Sequence, residues 1–107
     1  MTTQDSKSQE VIPQDQLQKL LREFKEQRGA YFNLTALGYF GSYARGEARP
    51  DSDIDIVFET DRPNLLITSE MRLDLVELLN RPVDVIRYRE RMNTRFKARL
   101  EKEAIYV

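Results

Sequence analysis

Two carboxylates one residue apart, Asp53 and Asp55, stand at the head of an apolar run in "GSYARGEARPDSDIDI", residues 41–56. Side chains at i and i+2 of a strand share a face, so this pair projects together, away from Ile54, Ile56 and Phe58. Parallel carboxylates repel, and they are costly to desolvate without a positive partner. A divalent cation is the natural compensator, and magnesium takes a few carboxylates together with waters and phosphate oxygens. A third acid, Asp84, lies between Val83 and Val85 in another strand-like run. If the two strands are neighbours, three carboxylates could converge on one or two metals. Upstream, Gly41 permits close backbone approach, and Ser42 adds a hydroxyl beside the free N–H groups of a helix start. Arg45 and Arg49 supply positive charge nearby. Phosphate on one side and carboxylate-held metal on the other point to phosphoryl or nucleotidyl transfer. Taken singly, each feature has a blander reading: a solvated strand end, a turn, surface arginines, a weak Arg81–Asp84 ion pair. The ordered combination carries the inference.

The remaining composition narrows the chemistry. The 107 residues contain no cysteine and no histidine, which removes disulfides, zinc-thiolate sites, thiol catalysis and triads built on imidazole. With 40% hydrophobic and 33% charged residues, the chain has the balance of a soluble globular domain. No apolar stretch approaches membrane-spanning length and the polar start does not resemble a secretory signal, so a cytoplasmic location is expected. The formal net charge of −1 hides a gradient: residues 1–46 carry six basic and five acidic groups, 47–84 four and ten, and 85–107 seven and three. The basic tail reads as the solvated face of a helix, diluted by Glu90, Glu101 and Glu103. Direct nucleic-acid binding is therefore not expected, although the tail could dock an acidic protein.

The elements that must position these groups follow from periodicity. Residues 1–12 read as a flexible start and 13–107 as one domain. Pro13 opens a helix carrying Leu17, Leu20, Leu21 and Phe24, with Gly29 as its stop. LTALGYF, residues 34–40, reads as a buried strand, and Pro50, Asp51 and Ser52 as a turn. DIDIVFE, 53–59, alternates as a strand. Ser69 is a candidate cap for a helix with Met71, Leu75, Val76 and Leu79, closed by Asn80 and Pro82. VDVIRY, 83–88, is a third strand, and Met92, Phe96 and Leu100 mark a last helix before a short apolar end. The order α-β-(α)-β-α-β-α predicts an α/β (α+β) fold, a small sheet flanked by helices, with strand order unspecified.

Gly41-Ser42, ten residues, then Asp53-x-Asp55 resembles the signature of the nucleotidyltransferase superfamily related to DNA polymerase β. The longer string FGSYARGEARPDSDIDI is similar to that of the minimal nucleotidyltransferase (MNT) antitoxins encoded beside HEPN toxins, and the likeness runs over residues 14 to 107. The resemblance implies a mixed sheet and magnesium-dependent transfer of a nucleoside monophosphate. It gives Asp53, Asp55 and Asp84 metal-binding and catalytic roles, with Asp84 either holding a metal or receiving the acceptor's proton. It implies that Gly41 and Ser42 hold the triphosphate, with Arg45 or Arg49 countering charge on the leaving pyrophosphate. ATP is the expected substrate and Mg2+ the expected cofactor. Larger relatives carry an extra acceptor-binding domain, and none is expected here. That points to a macromolecular acceptor, and the resemblance implies that it is a hydroxyl, such as tyrosine, on a HEPN RNase toxin from a neighbouring gene, which AMPylation would neutralise. Two alternatives remain open: an antitoxin that acts by binding alone, and a nucleotidyltransferase for a small molecule.

Overall fold

The structure, a computed structural model, describes residues 10–107. Helix α1 (Gln14–Arg28) follows Pro13, with Asp15 in its first turn and Lys25 and Arg28 in its last, charges that complement the helix dipole. Leu17, Leu21 and Phe24 form its buried stripe. Strand β1 (Leu34–Phe40) leads into a single helical turn, α2 (Gly41–Ala44). Strand β2 (Ile54–Thr60), helix α3 (Leu65–Leu79), strand β3 (Val83–Arg87), helix α4 (Thr94–Glu103) and strand β4 (Ile105–Tyr106) complete the order. The flexible start expected for residues 1–12 falls mostly outside the described residues. Ile12 is buried in the core.

The four strands form one mixed sheet in the order β3-β2-β1-β4. β1 runs antiparallel to β2 and β4, whereas β2 and β3 are parallel, joined by the α3 crossover. The alternation in β2 sends Ile54, Ile56 and Phe58 to one face. There they join Leu37 and Tyr39 of β1 beneath Leu17, Leu21 and Phe24 of α1 and Met71, Leu75 and Leu79 of α3. A smaller core occupies the opposite face, where Phe40, Val57 and Leu100 pack with Ile86 and Phe96. Helix α4 therefore covers part of the face from which the acids project. Asp55 lies at the margin of a packed layer rather than on an open sheet.

Three local expectations change. Ser69 is not a cap: α3 begins a turn earlier, where the Asn64 side chain accepts from the N–H groups of Leu66 and Ile67. An Asn cap contributes about 1 kcal/mol, and Pro63 just before it disfavours helical geometry at Arg62. The last helix starts at Thr94, capped by Asn93, so Met92 precedes it. The short apolar end is a fourth strand. Gly38 makes room for it, since a Cβ there would lie 2.4 Å from the Ile105 carbonyl oxygen. Among the described residues, no helix is long and apolar enough to cross a membrane.

Candidate active site

The sheet brings the predicted acids to one place. Asp55 pairs in register with Asp84 across the parallel β2–β3 ladder, and with Phe40 across the antiparallel β1–β2 ladder. Register neighbours in adjacent strands project to the same face, so the carboxylates of Asp55 and Asp84 emerge side by side. Asp53 lies just before β2, two residues from Asp55, and is exposed like Asp84, while Asp55 is half-buried. Burial pushes the Asp55 carboxyl above its ordinary range, the charges of Asp84 and Asp53 push it further, and Arg99 and Arg45 only partly offset them. Among the described residues, no three acidic side chains lie within joint reach of one cation. The donor set nevertheless suits a hard cation: carboxylate oxygens only, crowded, with their repulsion incompletely compensated.

Gly41 forms the corner between β1 and α2, and two separate constraints demand a glycine there. Its φ is +73°, in the left-handed region, and an added Cβ would fall 2.1 Å from Asp55 Oδ2. The close backbone approach expected at Gly41 is thus an approach to the Asp55 carboxylate itself. Ser42 is partly buried beside it, and its carbonyl accepts from the Glu47 N–H at 2.9 Å, which tightens the turn. Arg45 stands one turn on, with Nε 3.1 Å from Glu47 Oε1 and Nη1 3.2 Å from Glu103 Oε1. Arg49 is exposed in the following loop, where its backbone N–H donates to Ser52 Oγ. Its guanidinium forms none of the ion pairs around Gly41.

Two residues at this corner escaped the sequence reading, Glu103 and Arg99, both from α4. Glu103 Oε2 accepts from the Gly41 N–H at 2.6 Å, and Arg99 Nε lies 3.7 Å from Glu103 Oε1. Burial works to raise the Glu103 carboxyl, but the Gly41 N–H, Arg45 and Arg99 outweigh it and hold the carboxyl below its usual range. The spacing of Arg99 and Glu103 makes an i, i+4 helix pair visible in the sequence. Nothing local reveals that this pair faces Gly41, because that contact depends on β4 turning α4 back onto β1.

A mixed sheet with a glycine corner after its first strand and facing acids on the next two defines a nucleotidyl-transfer architecture. Residues 17–107 match the nucleotidyltransferase domain family, and the chain belongs to that family. It is 31% identical over 102 residues to the protein adenylyltransferase MntA of Thermococcus cleftensis, covering 91% of this chain and 98% of that one. It is 35% identical over 96 residues to a provisionally named protein adenylyltransferase of Methanocaldococcus jannaschii, covering 86% and 95%. A solved structure provisionally described as a minimal nucleotidyltransferase superposes with a TM-score of 0.73 at 32% identity, over 88% of this chain and 95% of the other. The fold also matches two more distant structures. One is an MNT antitoxin in complex with tri-AMPylated Shewanella oneidensis HEPN toxin, with a TM-score of 0.56, 21% identity and coverage of 88% and 67%. The other is a toxin–antitoxin crystal structure with AMP-PNP, with a TM-score of 0.65, 23% identity and coverage of 89% and 72%.

Proposed function

We propose that this chain is an antitoxin that transfers AMP from ATP to a hydroxyl, a tyrosine for preference, of a HEPN-type RNase toxin encoded by a neighbouring gene. The observation that carries the reading is the register pairing of Asp55 with Asp84 beside Gly41. The relatives named protein adenylyltransferase and the fold shared with an MNT antitoxin in a HEPN complex support it. In this reading Asp53 and Asp55 would hold Mg2+, which when bound neutralises the triphosphate and makes the acceptor hydroxyl easier to ionise.

The chain's own residues account for the rest. The hydroxyl of Ser42 and the guanidinium of Arg45 orient the triphosphate from the Gly41 corner. Arg45 opposes the charge that builds on the pyrophosphate as it leaves. The acceptor oxygen forms its bond to the α-phosphorus while the bond from that phosphorus to the bridging oxygen breaks. The proton of the acceptor O–H passes to a carboxylate, and Asp84 is the candidate because it is exposed on the edge strand β3. Arg49 contributes through diffuse attraction rather than contact.

The test is intact mass of the toxin after incubation with this chain, ATP and Mg2+. A gain in whole AMP units that disappears with Asp53→Asn supports the proposal. A stable, silencing complex with no added mass would instead make the chain an antitoxin that works by contact. Transfer to a small molecule with no effect on the toxin would refute the protein-acceptor reading.

A further inference from the structure

Glu103 is the last residue of α4, yet its carboxylate serves a turn 62 residues away in sequence. One oxygen accepts from the Gly41 N–H at 2.6 Å, and the other meets Arg45 Nη1 at 3.2 Å and Arg99 Nε at 3.7 Å. Its backbone is fixed on both sides. The Ala104 N–H closes the helix on the Leu100 carbonyl, and β4 immediately pairs with β1 through Tyr39↔Ile105 and Gly38↔Tyr106. The side chain is only 13% exposed, so the carboxylate has little freedom to settle elsewhere.

We propose that Glu103 is the positioning residue of the phosphate-holding corner, fixing the Gly41 peptide with one oxygen and aiming the Arg45 guanidinium with the other. This rests on the nucleotidyl-transfer reading above. Arg45 is a flexible side chain, and a long cation loses rotamer freedom whenever it grips a ligand. Glu103 removes part of that freedom beforehand. Because a guanidinium carries five N–H donors, the contacts with Glu103 and Glu47 leave others for a phosphate. The opposite role is also definable: a carboxylate on these donors could compete with phosphate and weaken nucleotide binding. The fixed backbone and burial of Glu103 favour positioning, because a competing anion would have to move aside when nucleotide enters.

Calorimetric titration of magnesium–AMP-PNP into wild type, Glu103→Gln, Glu103→Ala, Arg45→Ala and the double alanine variant decides between these roles. Glu103→Ala is expected to weaken binding about tenfold, the equivalent of one charge-assisted hydrogen bond. Glu103→Gln keeps an acceptor for the Gly41 N–H and is expected to fall between wild type and alanine. Loss in the double variant should be well short of the product of the single losses, because both residues act through Arg45. Melting curves confirm that each variant is folded at the titration temperature, and a merely structural glutamate would lower the melting temperature while leaving affinity unchanged. Unchanged or tighter binding in both Glu103 variants overturns the proposal. The affinity ratio decides it whether or not wild type transfers AMP, and a wild-type chain that binds no magnesium–nucleotide refutes this proposal and the transfer reading together.

Discussion

Asp55→Asn should make the metal-free protein more stable at neutral pH, although it removes a residue proposed to be indispensable. Adjacent strands lie about 4.8 Å apart, so the Asp55 and Asp84 carboxylates, in register, face each other across roughly 5–6 Å. Two like charges at that distance repel by about 0.7 kcal/mol in water and about 3 kcal/mol at an effective dielectric constant near 20. Asp84 is exposed and Asp55 only half-buried, so screening places the gain near the lower end, about 1 kcal/mol. For a chain of this size that is an increase in Tm of about 4 °C. The pH dependence has a definite sign. Burial, Asp84 and Asp53 raise the folded-state pKa of Asp55 above its ordinary 3.8, so the folded chain holds this proton more tightly than the unfolded chain does. The contribution of Asp55 to stability therefore declines as pH rises from the unfolded value through the folded one. The advantage of Asp55→Asn should be small near pH 3 and full by pH 7. Thermal melts of both proteins in a chelator, at several pH values and low salt, measure it. A variant less stable than wild type at pH 7, or an advantage that grows on acidification, would refute the charge-crowding account.

Other consequences test the surrounding structure. Gly41→Ala forces a side chain into a left-handed backbone and against Asp55, and should cost about 2 kcal/mol or more in urea unfolding. Asn64→Ala removes the α3 cap and should cost about 1 kcal/mol, whereas Ser69→Ala should stay within about 0.5 kcal/mol; equal effects would contradict the observed helix start. The Tyr88 hydroxyl, 2.5 Å from Glu101 Oε2, is pushed up to about 12 chiefly by that hydrogen bond. In an ultraviolet titration, Glu101→Gln should return it toward the ordinary tyrosine value, and an unmoved titration would count against the contact.

How far the sequence was readable depended on how local each cause was. LTALGYF became a strand with the expected bounds because its apolar run ends at a glycine. The alternation of DIDIVFE correctly sent Ile54, Ile56 and Phe58 to one face. The acids were legible because the i, i+2 rule acts within one strand. Their juxtaposition with Asp84 became definite only once β3 was seen to pair with β2 in register. The α3 start was misplaced because Leu65 and Leu66, 85% and 82% exposed, do not follow the buried stripe, so periodicity marked only the later turns. Strand β4 was hidden by its length of two residues, for which period-2 patterning has no power. With β4 unseen, the approach of Glu103 to Gly41 could not be foreseen. Gly38 inside a strand was the available hint, since a glycine there often marks the close approach of another backbone.

The Gly41 corner is proposed to transfer a nucleotide rather than a phosphate. Supplying ATP labelled with ³²P at either the α or the γ position, in the presence of Mg2+ and the proposed HEPN-type partner, and following label on the protein tests this. Label from the α position alone, with release of pyrophosphate and loss of the signal in Asp53→Asn, is the predicted result. Label arriving from the γ position, or α label that persists in Asp53→Asn, would contradict the account.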